Sequence, residues 1–148
     1  MREVKHGAIV PYSAESVFDL VADVDSYSEF VPGCTESRVE SRADSADGGQ
    51  EVIATLGLRL AGQTGRFTTR NQVQKPLRIN MSLIKGPFSD LDGEWRLEPL
   101  GDGGCRLELH MRFAFSSRIL DAVLGPVFEL TCNHLVEAFV RRARHLYG

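Results

Sequence analysis

The sequence predicts an α+β domain in which a strongly bent antiparallel sheet of about seven strands curls round one long C-terminal helix. Three observations predict it. From Cys34 to Phe115, apolar and polar residues alternate in runs broken by glycine and proline turns. From Ser117 to Tyr147 the spacing changes to three and four, which aligns Leu120, Val123, Leu124, Val127, Phe128, Leu135, Ala138, Phe139 and Leu146 in one helical stripe. Ahead of both lie a single strand and two short helical segments. A helix this long needs a broad apolar surface to lie on, and strands with one wet and one buried face supply it.

Taken in order, Glu3 to Val10 read as the first strand, ended by Pro11. Ser13 is a favourable N-cap, with Tyr12 and Val17 at the positions of a hydrophobic staple. Val17, Leu20, Val21 and Val24 fall on one side of the helix that follows, and Asp23–Ser26 interrupts it. Ser26 and Glu29 have capping-box spacing for a second short helix, which Pro32-Gly33 stops. The strands then follow in series: Val52, Ala54, Leu56, Leu58 and Leu60, and after a Gly62–Gly65 turn Phe67, Thr69, Asn71 and Val73. Past a break at Lys75-Pro76 come Leu77, Ile79, Met81 and Leu83, then Leu91, Gly93, Trp95 and Leu97. The last series, Cys105 to Phe115, alternates most cleanly, with Arg106, Glu108, His110 and Arg112 on the wet side. Asp47-Gly48-Gly49, Gly86-Pro87 and Gly101–Gly104 supply the turns. Gly125-Pro126 interrupts the final helical stripe and predicts a hinge between 117–124 and 127–147.

Composition narrows the class. At 148 residues, with 43% hydrophobic and 25% charged residues, residues 1–148 suit one globular domain. A chain of that size buries about 70% of its unfolded surface in one core. The formal net charge of -3 disfavours DNA or other nucleic acid as a bulk electrostatic partner. Cys34, Cys105 and Cys132 are odd in number and form no C-x-x-C, so neither a disulfide framework nor a zinc site is expected. No long apolar run is present, so no signal peptide or membrane span is expected, and the location expected is cytoplasmic, with peripheral contact at the inner membrane.

Catalytic signals are weak. His6, His110, His134 and His145 are scattered, and His134-x-x-Glu137 offers two metal ligands with no third. No nucleophile elbow or phosphate-cradling glycine loop occurs. An enzymatic reading would need a polar group deep in the fold, for which the inward series offers Thr69 and Asn71. The expectation is therefore a non-enzymatic protein with no required cofactor and no metal. Arg66, Arg70, Arg78, Arg96, Arg106 and Arg112 beside Glu94, Glu98 and Glu108 read as charge pairing on a solvated sheet face, against a docking stripe for an acidic surface. Gly86-Pro87-Phe88 before Trp95 reads either as a lid with an apolar tip or as a hairpin whose ring packs on its own sheet. Tyr27, Phe30 and Val31 read either as aromatics at a cavity mouth or as ordinary helix burial.

Five motifs in register carry a family resemblance: Val10-Pro11-Tyr12-Ser13, Asp23-Val24-Asp25-Ser26-Tyr27, Phe30-Val31-Pro32-Gly33-Cys34, Phe67-Thr68-Thr69-Arg70, and Gly86-Pro87-Phe88 with Leu91, Gly93 and Trp95. The chain resembles, over essentially its whole length, the coenzyme-Q-binding START-domain family of the polyketide-cyclase-like (SRPBCC) superfamily, in its bacterial RatA-type ribosome association toxin branch. Two positions depart: Ser28 stands where many relatives carry proline, and Gly33 where mitochondrial-type members often carry tryptophan.

The resemblance implies a helix-grip (START-like) fold with a hydrophobic tunnel. It also implies two jobs, holding ubiquinone or a similar polyisoprenoid lipid in support of respiration, or binding the large (50S) ribosomal subunit to block subunit joining. A curved sheet gripping a helix tends to leave an elongated apolar cavity, which places the ligand reading first. The lining expected is Val21, Tyr27, Phe30, Leu56, Met81, Phe88, Trp95, Leu120, Leu124 and Phe128, with ubiquinone as the bound ligand. Leu120, Leu124 and Phe88 are expected to border its entrance, before the hinge. Under the ribosomal alternative Arg141, Arg142 and Arg144 are the contact, although cations at a helix C-terminus also complement its dipole.

Overall fold

The computed structural model describes residues 1–46, 48–74, 78–101 and 103–148. The order of elements is β1 (Arg2–Val10), α1 (Ala14–Ala22), a 3-10 turn (Val24–Ser26), α2 (Tyr27–Phe30), β2 (Cys34–Asp44), β3 (Gln50–Leu60), β4 (Gln63–Gln74), β5 (Arg78–Lys85), β6 (Phe88–Leu100), β7 (Gly104–Phe115) and α3 (Arg118–Tyr147). The seven strands form one sheet in the order β1-β7-β6-β5-β4-β3-β2. Every pairing is antiparallel. The break expected at Lys75-Pro76, with Leu77, and the turn residues Asp47 and Asp102 lie outside the described residues.

Alternation does what the sequence predicts. Leu91, Trp95, Leu97, Cys105, Leu107, Leu109, Met111, Phe113 and Phe115 are all buried, and so are Phe128, Cys132, Val136 and Phe139 of α3. Register shifts at Cys34/Glu36 and Val39/Ser41 in β2, Thr68/Thr69 in β4 and Phe88/Asp90 in β6 add the bulges that bend the strands around the helix. On the outer face Arg66 pairs with Glu36 at 2.6 Å, Arg70 with Glu51 at 3.3 Å and Arg112 with Asp92 at 2.9 Å. These arginines thus take the charge-pairing role, each pair contributing little to stability by itself.

Local details depart from expectation at two turns, the β3–β4 hairpin and Ser26, and agree with it at Ser13. The β3–β4 turn is Ala61-Gly62, not Gly62–Gly65; both residues have positive φ (50° and 80°), as a two-residue type I′ hairpin requires. Ser13 caps α1 by accepting the Ser16 N–H at 3.1 Å, while the Tyr12 ring meets Tyr147, with centroids 5.8 Å apart. The capping box at Ser26 does not form: its hydroxyl donates to Asp23 at 2.6 Å, and Glu29 pairs with Arg142. Asp25 instead fastens the helical insert to the edge strand β2, its carboxylate accepting the Val39 N–H at 2.8 Å and its carbonyl the Ser37 hydroxyl at 3.2 Å. A covered edge is a safer edge.

The expected hinge is absent: α3 is continuous through Gly125-Pro126. Pro126 faces solvent beside exposed Ala122, so water can satisfy the carbonyl that the missing N–H leaves free, while buried Leu124 and Phe128 hold the helix on both sides. Gly125 has a different purpose. The Arg2 guanidinium of β1 lies across it, and a Cβ there would clash with that group. Arg2 donates to Asp121 Oδ2 at 3.1 Å, to the Asp121 carbonyl at 3.1 Å and to Glu129 at 2.9 Å. Asp121 also accepts the Phe115 N–H at 3.1 Å, and that bond, with Arg2, holds its carboxyl below the usual range. This contribution is present above the ordinary carboxylate pKa and is lost as pH falls through the lowered value.

Gly125→Ala is therefore expected to destabilise the protein by roughly 1–3 kcal/mol in chemical denaturation. Adding Arg2→Ala should recover part of that loss, a coupling that a double-mutant cycle measures. Simple additivity would show that the two residues do not meet.

Candidate functional site

The concave face of the sheet borders three chambers, two of them against α3 and the third against α1 and the 3-10 turn. The outer one, about 610 Å³, opens between α1 and the β2–β3 hairpin; Phe18, Val21, Val24 and Trp95 form its floor, and Asp19, Arg42, Asp44, Gln50 and Gln74 give it a polar rim. The inner one, about 80 Å³, is almost wholly apolar, lined among others by Leu56, Leu58, Leu109, Met111, Phe128 and Cys132. The distal one, about 150 Å³, lies at the opposite end among Leu60, Phe67, Phe88, Leu120 and Leu124. Only the outer chamber has the size of an ordinary ligand site.

The partitions are as informative as the chambers. Val24, Tyr27, Asn71, Met81 and Trp95 line both the outer and the inner chamber. Leu58, Phe67 and Phe128 separate the inner chamber from the distal one. The Phe67 and Phe128 rings meet edge to face with centroids 6.4 Å apart, looser than the 4.6 Å between Phe113 and Phe128. Met81 is half-buried and unbranched, a side chain that changes shape easily. Both partitions consist of side chains.

Polar groups inside the cavity are few and mutually engaged. The Thr69 hydroxyl donates to Asn71 Oδ1 at 2.8 Å, and both residues are buried. With Oδ1 so used, Asn71 offers its NH₂ donors at the boundary of the outer and inner chambers. The Thr131 hydroxyl in the inner chamber donates back to the Val127 carbonyl at 2.9 Å. Burial, and secondarily the charge of Glu129, pushes the Cys132 thiol up to about 12, so it lines the chamber as a small apolar group rather than a nucleophile. Among the described residues no group of three His, Cys, Asp or Glu side chains is placed to hold a metal, and His134 with Glu137 gains no third partner.

Of the ten expected lining residues, nine border a chamber, though not the same one. Val21, Tyr27, Met81 and Trp95 border the outer chamber, Leu56 the inner, and Phe88, Leu120 and Leu124 the distal, while Phe128 stands between inner and distal. Phe30 borders none of these three: its ring packs on Phe139 at 5.3 Å beneath the Arg142 guanidinium at 5.0 Å. Tyr27 is buried, with its ring on Phe139 at 5.2 Å and its hydroxyl donating to the Val21 carbonyl, so it is wall and not mouth. Burial also raises its phenol above the ordinary tyrosine range. Phe88 is no lid tip. It begins β6 inside an aromatic cluster, stacked on Phe115 at 4.6 Å and 5.4 Å from Phe128. Arg142 turns inward to Glu29 at 3.2 Å, which leaves Arg141 and Arg144 as the exposed members of the basic trio.

Sequence reading missed the rim, with Arg42 and Gln74, and the inner wall residues Val24 and Cys132. For Arg42 the bulge between Val39 and Ser41 shifts the parity, so a period-two count from Val39 puts it on the outer face.

Comparison with known proteins adds the following. Residues 10–140 match the family model described as polyketide cyclase / dehydrase and lipid transport. The ribosome association toxin RatA of Vibrio cholerae is 38% identical over 148 residues, covering 100% of this chain and 99% of that protein. The mitochondrial coenzyme Q-binding protein COQ10 of Drosophila melanogaster is 27% identical over 144 residues, 95% of this chain and 57% of that protein. Among solved structures, a START superfamily protein from Mycobacterium smegmatis superposes with a TM-score of 0.80 at 22% identity, covering 97% of this chain and 98% of that one. The fold is START-like, with the helix gripped by the sheet.

Because its thiolate is disfavoured and its position enclosed, Cys132 is expected to react with a disulfide reagent at pH 8 only as fast as the native structure opens. Denatured protein should label at all three cysteines. Immediate labelling of Cys132 in the native state would contradict the enclosed inner chamber.

Proposed function

The chain belongs to the polyketide cyclase/dehydrase and lipid transport family, and within it we propose a non-enzymatic RatA-type protein that associates with the large ribosomal subunit and blocks subunit joining. The observation that carries this reading is end-to-end similarity, 38% identity covering 100% of this chain and 99% of a protein named ribosome association toxin. Sequence patterns alone put quinone binding first. The order is reversed here because the coenzyme Q-binding relative is only 27% identical and is matched over 57% of its length. Exposed Arg141 and Arg144 are available for a ribosomal contact, whereas Arg142 is engaged with Glu29 and Phe30.

Co-sedimentation with isolated large subunits tests it. The chain is expected to pellet with them and to lower the yield of joined ribosomes when small subunits are added. Arg141→Glu with Arg144→Glu should weaken pelleting roughly tenfold or more if rRNA phosphate is the contact, and should do so less as salt is raised. A chain that stays in the supernatant at low salt would overturn the reading.

A second reading is supported by the chambered cavity: a ubiquinone-like lipid with its carbonyl-bearing head in the outer chamber near the Asn71 donors and its tail toward the inner chamber. Native mass spectrometry of gently purified protein is expected to find an adduct of polyisoprenoid mass, or uptake of added ubiquinone. Leu56→Trp, which fills the inner chamber, should abolish the adduct and leave ribosome co-sedimentation unchanged. Protein that remains empty and refuses added quinone would rule this second role out.

A further inference from the structure

The apolar stripe of α3 is not all buried. Ile119 is 79% exposed, Val123 58% and Leu130 55%, and with exposed Ala122 and Pro126 they form a ridge along the first three turns of the helix, facing away from the sheet. Val123, read from spacing as part of the inward stripe, points out. By length and composition α3 passes as a membrane-crossing helix, with mean hydropathy 1.3 over its most apolar window, yet only 22% of that window is buried. Its other face is packed on β1 and β7, so it cannot leave the domain to span a bilayer. It can lie on one.

Charge and continuity point to the same occupant. The two acids that would oppose a negative surface near the ridge, Asp121 and Glu129, are both held by Arg2. Arg118 at the start of the ridge and Arg141 and Arg144 further along the same helix are exposed and, among the described residues, make no ion pair; Glu137 is the one acid between them that Arg2 does not hold. Leu120 and Leu124, on the flank of the same turns, border the distal chamber. An apolar ridge that runs into an apolar chamber gives a lipid a path that avoids water. The exposed aliphatic area is on the order of 300 Å², well short of the ~800 Å² per partner of a stable dimer. Nucleic acid offers phosphates to the arginines but no apolar medium for Ile119, Val123 and Leu130.

We propose that the outer ridge of α3, Ile119–Val123–Leu130 with Arg118, Arg141 and Arg144, docks the protein on anionic lipid bilayers, with the helix in the interfacial plane. The inference does not rest on ribosome association, although Arg141 and Arg144 serve both surfaces, and it does not require that the cavity hold a quinone.

Flotation of the full chain with quinone-free vesicles tests it, using pure phosphatidylcholine and equal parts phosphatidylcholine and phosphatidylglycerol. Binding is expected to the anionic vesicles, weakened by salt, and reduced about tenfold or more by Ile119→Ser, Val123→Ser and Leu130→Ser together. All three positions are exposed, so the triple variant should keep its circular dichroism and its co-sedimentation with large subunits. Should the triple variant misfold, Val123→Trp decides: its added emission must shift to the blue on anionic vesicles and not on neutral ones. Failure to float with either vesicle, or equal flotation of the triple variant, would overturn the proposal. So would a triple variant that loses self-association or ribosome co-sedimentation while still binding vesicles, which would give the ridge to a second copy or to the ribosome.

Discussion

A single helix about 10 Å across cannot fill the concave face of a bent seven-stranded sheet, and the rest of this structure follows from that mismatch. At one end the gap is filled by aromatic rings, Phe88, Phe113, Phe115 and Phe128, packed face to face and edge to face. At the other it is closed by the Tyr27–Phe139–Trp95 contacts that the short helical insert brings against α3. Between them the inner chamber stays hollow, and the distal and outer chambers border these same side chains from either end. The apolar character of the inner wall is thus a consequence of ordinary strand alternation, and a ligand site comes with the architecture.

The helix is held at both ends so that its middle can border a void. Arg2 clamps the first turns by bonding Asp121 and Glu129 across Gly125. At the far end the Tyr147 hydroxyl donates to the Ser16 carbonyl at 3.1 Å, and Arg142 bridges to Glu29 of α2. These attachments lie outside the chambers, which leaves the walls of the inner chamber free of charged groups. They also determine which face of α3 remains outside: the one carrying Ile119, Val123 and Leu130.

Much of this was legible in the sequence. The period of two from Cys34 to Phe115 identified the inward series of β3, β4, β6 and β7, because those strands are long and their bulges few. The final helix was legible in extent but not in orientation. A spacing of three and four cannot separate Val123 from Leu124 when both are apolar, and only the packing against β1 and β7 does so. Gly125-Pro126 read as a hinge because proline costs a helix hydrogen bond, yet the position faces water and the glycine answers to Arg2, 123 residues away in the sequence. The same nonlocality hid the inward turn of Arg142 and left open whether Phe88 is a lid tip or packs on its own sheet, as it does. Of the candidate site, side chains on regular strands were found and those on the bulged strand β2 were not. The family resemblance supplied the two functional alternatives, and their order changed when the whole length of the chain was weighed against known proteins.

The central claim is that the space between α3 and the sheet is an unfilled apolar cavity rather than a packed core. Xenon under pressure tests this most directly, since the atom enters dry apolar voids and has no affinity for polar rims. A crystal pressurised with xenon should show density in the inner chamber among Leu56, Leu109, Met111 and Cys132. Xenon density confined to the surface, with that chamber closed by its own side chains, would contradict the account.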